Sequence, residues 1–324
     1  MTWLTWDRGR ARLTSLGAML TNFTAVLPDG REVSPLHKAS WLEEQLPGGI
    51  PPFLAGLQGE FPCVPFGTAP RGPLARDWAG SFPSPDPWPH GFAANNNWQI
   101  APDGPHAVRA RITYPETEPV HRLSRCVRGV KGEAAVDIAL GVHTRRKGRL
   151  PIGVHPVFRL PEKVGLARLC PGGYDQIFGY PGDTGGQPAF EYSSPFRFED
   201  LTGLGFDPLK LPYAVASETL LLLSGTERSF ALENHAENYR VSLDWDAQAF
   251  PSLLLWISNC GRRAAPWNGR HRALGVEPVC SAFDLGPSIS VTDNLLTHAG
   301  VQTARMLTPD QTFTTGYRIS VAPL

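Results

Sequence analysis

The residues best equipped for chemistry in this chain are two short histidine islands and one distant glutamate. The islands are His90-Gly91-Phe92, running on to Trp98, and Gly153-Val154-His155-Pro156-Val157-Phe158. The glutamate stands in Leu274-Gly275-Val276-Glu277-Pro278. Imidazole titrates close to neutrality and a carboxylate is an available base there, so this set can move protons in both directions. Their spacing matches no metal-ligand pattern, and no phosphate-cradling glycine loop precedes them. The set therefore points to acid–base work on a neutral polar substrate. Plainer readings stand beside this one. A lone histidine in a loop (His90) or at the end of an apolar run (His155) is often structural. Glu277 could be held by Arg270, His271 or Arg272. A carboxylate inside an apolar run is nevertheless rarely buried without a reason.

The elements that would position these residues are short. Glycine (33) and proline (32) make up about a fifth of the 324 residues, against a usual ~12%, which favours many turns and few long helices. Strand-like runs recur between turn signals: Ala18 to Leu27 before Pro28-Asp29-Gly30, His106 to Tyr114, Ala134 to His143, and Ser229 to Leu232. Tyr239 to Trp245 alternates polar with apolar, as a half-buried strand does. Leu253 to Ser258 is a continuous apolar run suited to a central strand. Residues 309–323 close the chain with β character. Trp41 to Gln45 offers one or two helical turns at most, and Pro65 to Pro89 reads as a long loop. No linker or repeat interrupts the pattern, so one antiparallel β domain over residues 1–324 is expected.

Several function classes are disfavoured. The formal net charge is zero and no basic block stands out, which argues against nucleic acid as a partner. Arg145-Arg146-Lys147 and Arg262-Arg263 are short and read as loops. No run reaches the ~18–20 apolar residues of a membrane helix, and no signal peptide is visible, so a cytoplasmic protein away from membranes is expected. The five cysteines, at 63, 126, 170, 260 and 280, are odd in number, widely spaced and without CxxC. Free thiols are expected, and no metal site.

Taken in order, the islands resemble the aldose 1-epimerase (galactose mutarotase-like) superfamily. Gly59-Glu60-Phe61-Pro62-Cys63-Val64-Pro65-Phe66-Gly67 is similar to that family's early loop. The resemblance implies a large antiparallel β-sandwich (supersandwich) with a sugar site on a concave face and no cofactor. It implies Glu277 as the base at the anomeric hydroxyl, His155 as the acid at the ring oxygen, and His90 as a support for the ring oxygen or a neighbouring hydroxyl. It further implies that Glu218 stands where the family has a hydroxyl-binding aspartate. Arg71, with Arg76 as rival, would be the sugar-contacting arginine. Trp98, Phe158, Trp256 and Trp267 are candidate apolar platforms, with a core role as the alternative for each, and Asn96 offers an amide for neutral hydroxyls. Relatives acting on hexose 6-phosphates carry arginines where this chain has Ala94 and Leu57, so a free aldose is the expected substrate. The competing functions are a catalytically silent sugar-binding module, a hexose-6-phosphate 1-epimerase, and a glycosidase using Glu277 and Glu218, which would leave both histidines unexplained. A monomer or homodimer is expected. Attraction between Glu277 and His155 is expected to outweigh burial and widen the pH window in which both are charged.

Overall fold

The structure is a computed structural model that describes residues 2–70, 72–78 and 88–324. Among these residues the strands form two large sheets and two small ones, and every named pairing is antiparallel. Nine strands make the first sheet. Its centre is Tyr239–Trp245, Phe313–Pro323 and Ala135–Thr144, and its far edge is Gln99–Pro102. The second sheet has Ser217–Ser224, Ser252–Asn259 and Arg272–Cys280 side by side. Two short strands, Ile152–Val154 and Val157–Arg159, both pair with Arg272–Cys280. Four strands between Thr2 and Val33 form a separate meander.

The two large sheets pack face to face. Val241, Leu243, Ile138 and Ile319 from the first meet Leu253, Leu255, Leu274 and Val276 from the second in one buried cluster. The period of two along a strand sends Leu254, Trp256, Ala273 and Val279 to the opposite face. There they join Trp41, Phe61, Phe66 and Trp267, which come from the covering loops, in a second cluster. The second sheet is thus buried on both sides, which is why Leu253 to Ser258 lacks alternation. Fully burying each such leucine contributes roughly 1.5–3 kcal/mol, and both faces collect it.

The strands expected from sequence form within a residue or two of their expected bounds, except that the last begins at Phe313, four residues into the expected 309–323. One expectation needs correcting. Trp41 to Gln45 forms turns rather than helix. Its indole is fully buried and donates from Nε1 to the Leu54 carbonyl at 2.9 Å, so packing of one side chain sets the segment's course. Among the described residues, α-helix is confined to four-residue turns such as Pro52–Ala55 and Phe92–Asn95. The expected loop from Pro65 to Pro89 carries one 3₁₀ turn, Arg76–Trp78, in its described part. The five cysteines are free, with Cys63 and Cys280 buried.

Candidate active site

Register brings Glu277 and His155 together. Gly153 pairs with Val279, and Val157 pairs with Gly275, so His155 lies opposite Glu277 where the ladder is interrupted. The break is held open from both sides. The His155 amide donates to the Phe61 carbonyl at 2.8 Å, and the Val276 amide donates to the Pro156 carbonyl at 2.9 Å. On the other flank Glu277 pairs with Leu254. Both side chains project to the face that the loops cover. His155 Nε2 stands 3.4 Å from Glu277 Oε1, with the two side chains 6% and 2% exposed. Among the described residues no other donor reaches Glu277 within hydrogen-bond distance. The Phe61 ring stacks on His155 at 4.7 Å between centroids and fixes its plane.

His90 arrives from a tight loop. Its φ is 59° and that of Gly91 is 87°. A Cβ on Gly91 would stand 2.2 Å from the Val64 carbonyl oxygen, so only glycine lets the loop come this close. Asn95 ties the loop from inside, donating to the Pro89 and Gly91 carbonyls at 2.7 and 2.9 Å. The His90 ring meets His155 edge-on at 5.3 Å. Nδ1 of each imidazole is buried without a hydrogen-bond partner.

These three residues line a cavity of about 310 Å³, at the small end of ligand pockets. Its walls mix apolar side chains (Phe53, Leu57, Leu220, Leu254, Trp256, Trp267) with Asp183, Arg262 and Asp284. Arg262 Nε donates to the Thr184 carbonyl at 2.8 Å and pairs with Glu218 Oε1 at 2.9 Å. Its guanidinium lies over Trp256 and Trp267, 5.4 and 4.9 Å from the ring centroids. Glu218 is fully buried. It also accepts from Trp256 Nε1 at 2.5 Å and from Ser258 Oγ at 3.1 Å.

Burial dominates the electrostatics. It pushes the Glu277 carboxyl well above its ordinary range, reinforced by the charge of Asp284 and opposed by Arg262. His155 is driven well below the ordinary imidazole value, first by burial and then by neighbouring His90. His90 falls to about 4, through burial and the charge of Arg262. The expectation that attraction would outweigh burial is therefore reversed. A deep wall with few donors favours the neutral forms of both partners. No group of three metal-ligating side chains occurs among the described residues.

The remaining sequence candidates are dispersed. Arg71 lies outside the described residues, and Arg76 is exposed on its 3₁₀ turn. Glu218 is not a wall residue of the cavity. It stands behind Trp256 and anchors Arg262. Trp98 packs in the inter-sheet core and donates from Nε1 to the Ala93 carbonyl. Phe158 is fully buried in the same core, because it is one residue out of phase with the cavity-facing side of its strand. Asn96 donates to the Phe92 carbonyl at 2.9 Å, ending a helical turn. None of these three lines the cavity. Conversely, the sequence reading passed over Arg262, Asp183 and Asp284. Arg262 sits in an irregular loop where no periodicity marks it, and its clue was an arginine pair in the short stretch between Trp256 and Trp267.

The same architecture occurs in solved proteins. The chain is similar to a protein of Escherichia coli K12 that carries a provisional assignment as an aldose 1-epimerase. Identity is 15% over 99% of this chain and 98% of that one, with a TM-score of 0.67. It is similar to a galactose mutarotase-like protein of Clostridium acetobutylicum at 14% identity, 99% and 94% coverage and a TM-score of 0.63. A galactose mutarotase-like protein of Lactobacillus casei gives 16% identity, 99% coverage of both chains and a TM-score of 0.60. The sequence matches no family model and no curated protein. The chain has the galactose mutarotase-like fold.

Proposed function

We propose that the protein is an aldose 1-epimerase that interconverts the anomers of a free aldose. The observation that carries this reading is the Glu277–His155 pair, 3.4 Å apart on the wall of a cavity suited to one small polar molecule. Opening a hemiacetal requires removing the proton on O1 while delivering one to O5. In this reading Glu277 takes the first and His155 supplies the second. The open aldehyde turns about C1–C2 and recloses on its other face, with the two groups exchanging roles. Trp256 and Trp267 would offer apolar faces to the ring, and Arg262 a donor to a hydroxyl. A silent sugar-binding module would have no use for an acid and a base held together. A phosphosugar substrate is less well served, because Leu57 lines the cavity, Ala94 is buried, and Arg262 is already paired with Glu218.

The proton inventory has a consequence for pH. Between its two titrations the pair holds one proton, shared between a carboxyl that burial raises and an imidazole that burial lowers. The reactive arrangement, carboxylate with imidazolium, carries the same number of protons and forms as sugar hydroxyls enter. The rate should therefore be bell-shaped, its limbs belonging to the pair. The acid limb reports uptake of a second proton by the pair, and the basic limb reports loss of its last one. Polarimetry or NMR exchange on glucose and galactose tests the proposal. Glu277→Gln should lower anomer exchange by ~10²–10⁴-fold with sugar binding largely kept. His155→Asn should cut the rate and remove the basic limb, because the activity that remains needs only ionised Glu277. A Glu277→Gln protein as fast as wild type would sink the assignment.

A further inference from the structure

Behind the cavity lies a second, larger hollow of about 650 Å³. The two share a wall. Trp256 lines the cavity, His271 lines the hollow, and their rings stack at 5.3 Å with planes 16° apart. The hollow lies against the N-terminal meander, the segment from Ser34 to Ser40, and the start of strand Arg272–Cys280.

Its charge is one-sided. Arg10, Lys38, Arg159, Arg270 and Arg272 line it, and Glu162 is the one carboxylate among its described lining residues. Three of the arginines are matched by acids set outside the lining: Arg10 by Glu32 at 2.8 Å, Arg159 by Glu237 at 2.7 Å and Arg270 by Glu44 at 2.6 Å. Lys38 and Arg272 have no carboxylate within ion-pair distance among the described residues. Arg272 donates from Nη1 to the Glu162 carbonyl at 3.2 Å and lies against the Cys260 sulfur, while its Nε is buried without a partner. Two imidazoles complete the floor, meeting edge-on at 4.8 Å. His271 spends Nδ1 on Ser258 Oγ at 2.9 Å. Nε2 of His271 and Nε2 of His37 are both buried and unpartnered, on side chains 2% and 9% exposed.

Unmatched cations beside unsatisfied imidazole and guanidinium nitrogens call for a compact anion rich in acceptors. A guanidinium with an ammonium suits a phosphate oxygen set. The volume is about twice that of the cavity and exceeds what a bare phosphate needs. Trp3, 51% exposed on the lining, leaves an indole face for the rest of the molecule. We propose that this hollow is a second binding site, for a phosphate monoester of a small polar molecule, separate from the catalytic cavity. Lys38 and Arg272 take the phosphate and His37 donates from the floor, while His271, whose Nδ1–H is spent on Ser258 Oγ, leaves Nε2 as an acceptor for a hydroxyl of the bound molecule.

Calorimetry on the whole chain at low ionic strength tests this, with glucose 6-phosphate and inorganic phosphate as probes. Glucose 6-phosphate should bind saturably with a Kd of about 1 mM or lower, and inorganic phosphate more weakly. Lys38→Ala replaces an exposed side chain and should leave the fold intact while weakening binding roughly tenfold. Arg272→Gln should weaken it further. Glu277→Gln should bind as wild type does, and saturating free glucose should not compete. Four outcomes would overturn the proposal: heats matched by sodium chloride at equal ionic strength, Lys38→Ala binding like wild type, competition by free glucose, or inorganic phosphate binding as tightly as the monoester.

Discussion

Two buried carboxylates, Glu60 and Glu277, show how one residue type is put to opposite uses. Glu60 is fully buried and fully answered. Arg125 Nη2 lies 2.6 Å from Oε2, with both side chains at 0% exposure, and the Tyr317 hydroxyl donates to Oε1. Arg125 is itself tied to the Ala18 carbonyl at 3.0 Å. Both carboxylate oxygens of Glu60 thus have a strong donor, and neither is left over to react. Glu277 is equally buried but has one weak neighbour, His155, and faces a cavity. Its burial is not offset, so its carboxyl binds a proton more readily than it would in water. A buried charge answered by the protein is architecture. One left unanswered at a cavity wall is available to a ligand. Glu218 belongs with Glu60, since Arg262, Trp256 and Ser258 all donate to it or pair with it.

The largest expected effect comes from the unanswered groups taken together. His37 and His90 both titrate near 4 in the fold, against an ordinary 6.5. His155 and His271 are lowered as well. The unfolded chain therefore takes up protons that the fold refuses. Stability is fully present above pH 6.5 and is lost as the pH falls from there toward 4, by roughly 3 kcal/mol for each of His37 and His90. Glu277 acts in the other sense, its raised value costing stability as pH climbs past the ordinary carboxylate range. Urea titrations at pH 7, 5.5 and 4 should show the loss, and His37→Gln should flatten it. A protein equally stable at all three would mean that these imidazoles find partners in solution, and the contrast with Glu60 would weaken.

Next in size is removal of the answer from Glu60. Arg125→Met leaves a buried carboxylate without its charge partner and should cost ~3–5 kcal/mol. Anomer exchange per folded molecule should change little. Glu277→Gln should give the converse, a large loss of rate and no loss of stability near neutral pH. The double variant Glu60→Gln/Arg125→Met should recover much of the stability that the single one loses. If Arg125→Met instead stays folded and loses its activity, Glu60 belongs with the catalytic groups.

Much of this was legible in the sequence, for reasons that also mark where legibility stops. Alternation in Tyr239 to Trp245 and the unbroken apolar run at Leu253 announced a half-buried and a fully buried strand. Glu277 stood out because a carboxylate in such a run needs a reason. Pairing is not local, however, and no pattern in either strand shows that His155 falls opposite Glu277. Phase decided against Phe158. It lies three residues from His155, an odd step that turns it to the inter-sheet core. Trp98 resembled a sugar platform, but its indole nitrogen had a carbonyl waiting five residues away. The expected charge attraction failed because solvent exposure of the pair, which a sequence does not carry, decides whether two charges or two neutral groups are favoured.

The smallest effect tests the geometry of Glu277 rather than its chemistry. A Cβ on Gly275 would stand 2.4 Å from Glu277 Oε1 and 3.0 Å from the Trp256 Cβ. Gly275 lies two residues from Glu277 on the same face of the strand, so its missing side chain is the space the carboxylate occupies. Gly275→Ala must push Glu277 off its line to His155 without altering any ionisable group. A displacement approaching 1 Å at a reacting group can cost up to ~10²-fold, so kcat should fall by roughly 10–10²-fold, less than for Glu277→Gln. The limbs of the pH–rate profile should remain, because acid and base are both still present. The equivalent experiment at the answered carboxylate is Tyr317→Phe, which removes one donor from Glu60 and should lower stability while leaving kcat alone. A Gly275→Ala protein with unchanged kcat would show that Glu277 tolerates displacement, and that the 3.4 Å approach to His155 is not what sets the rate.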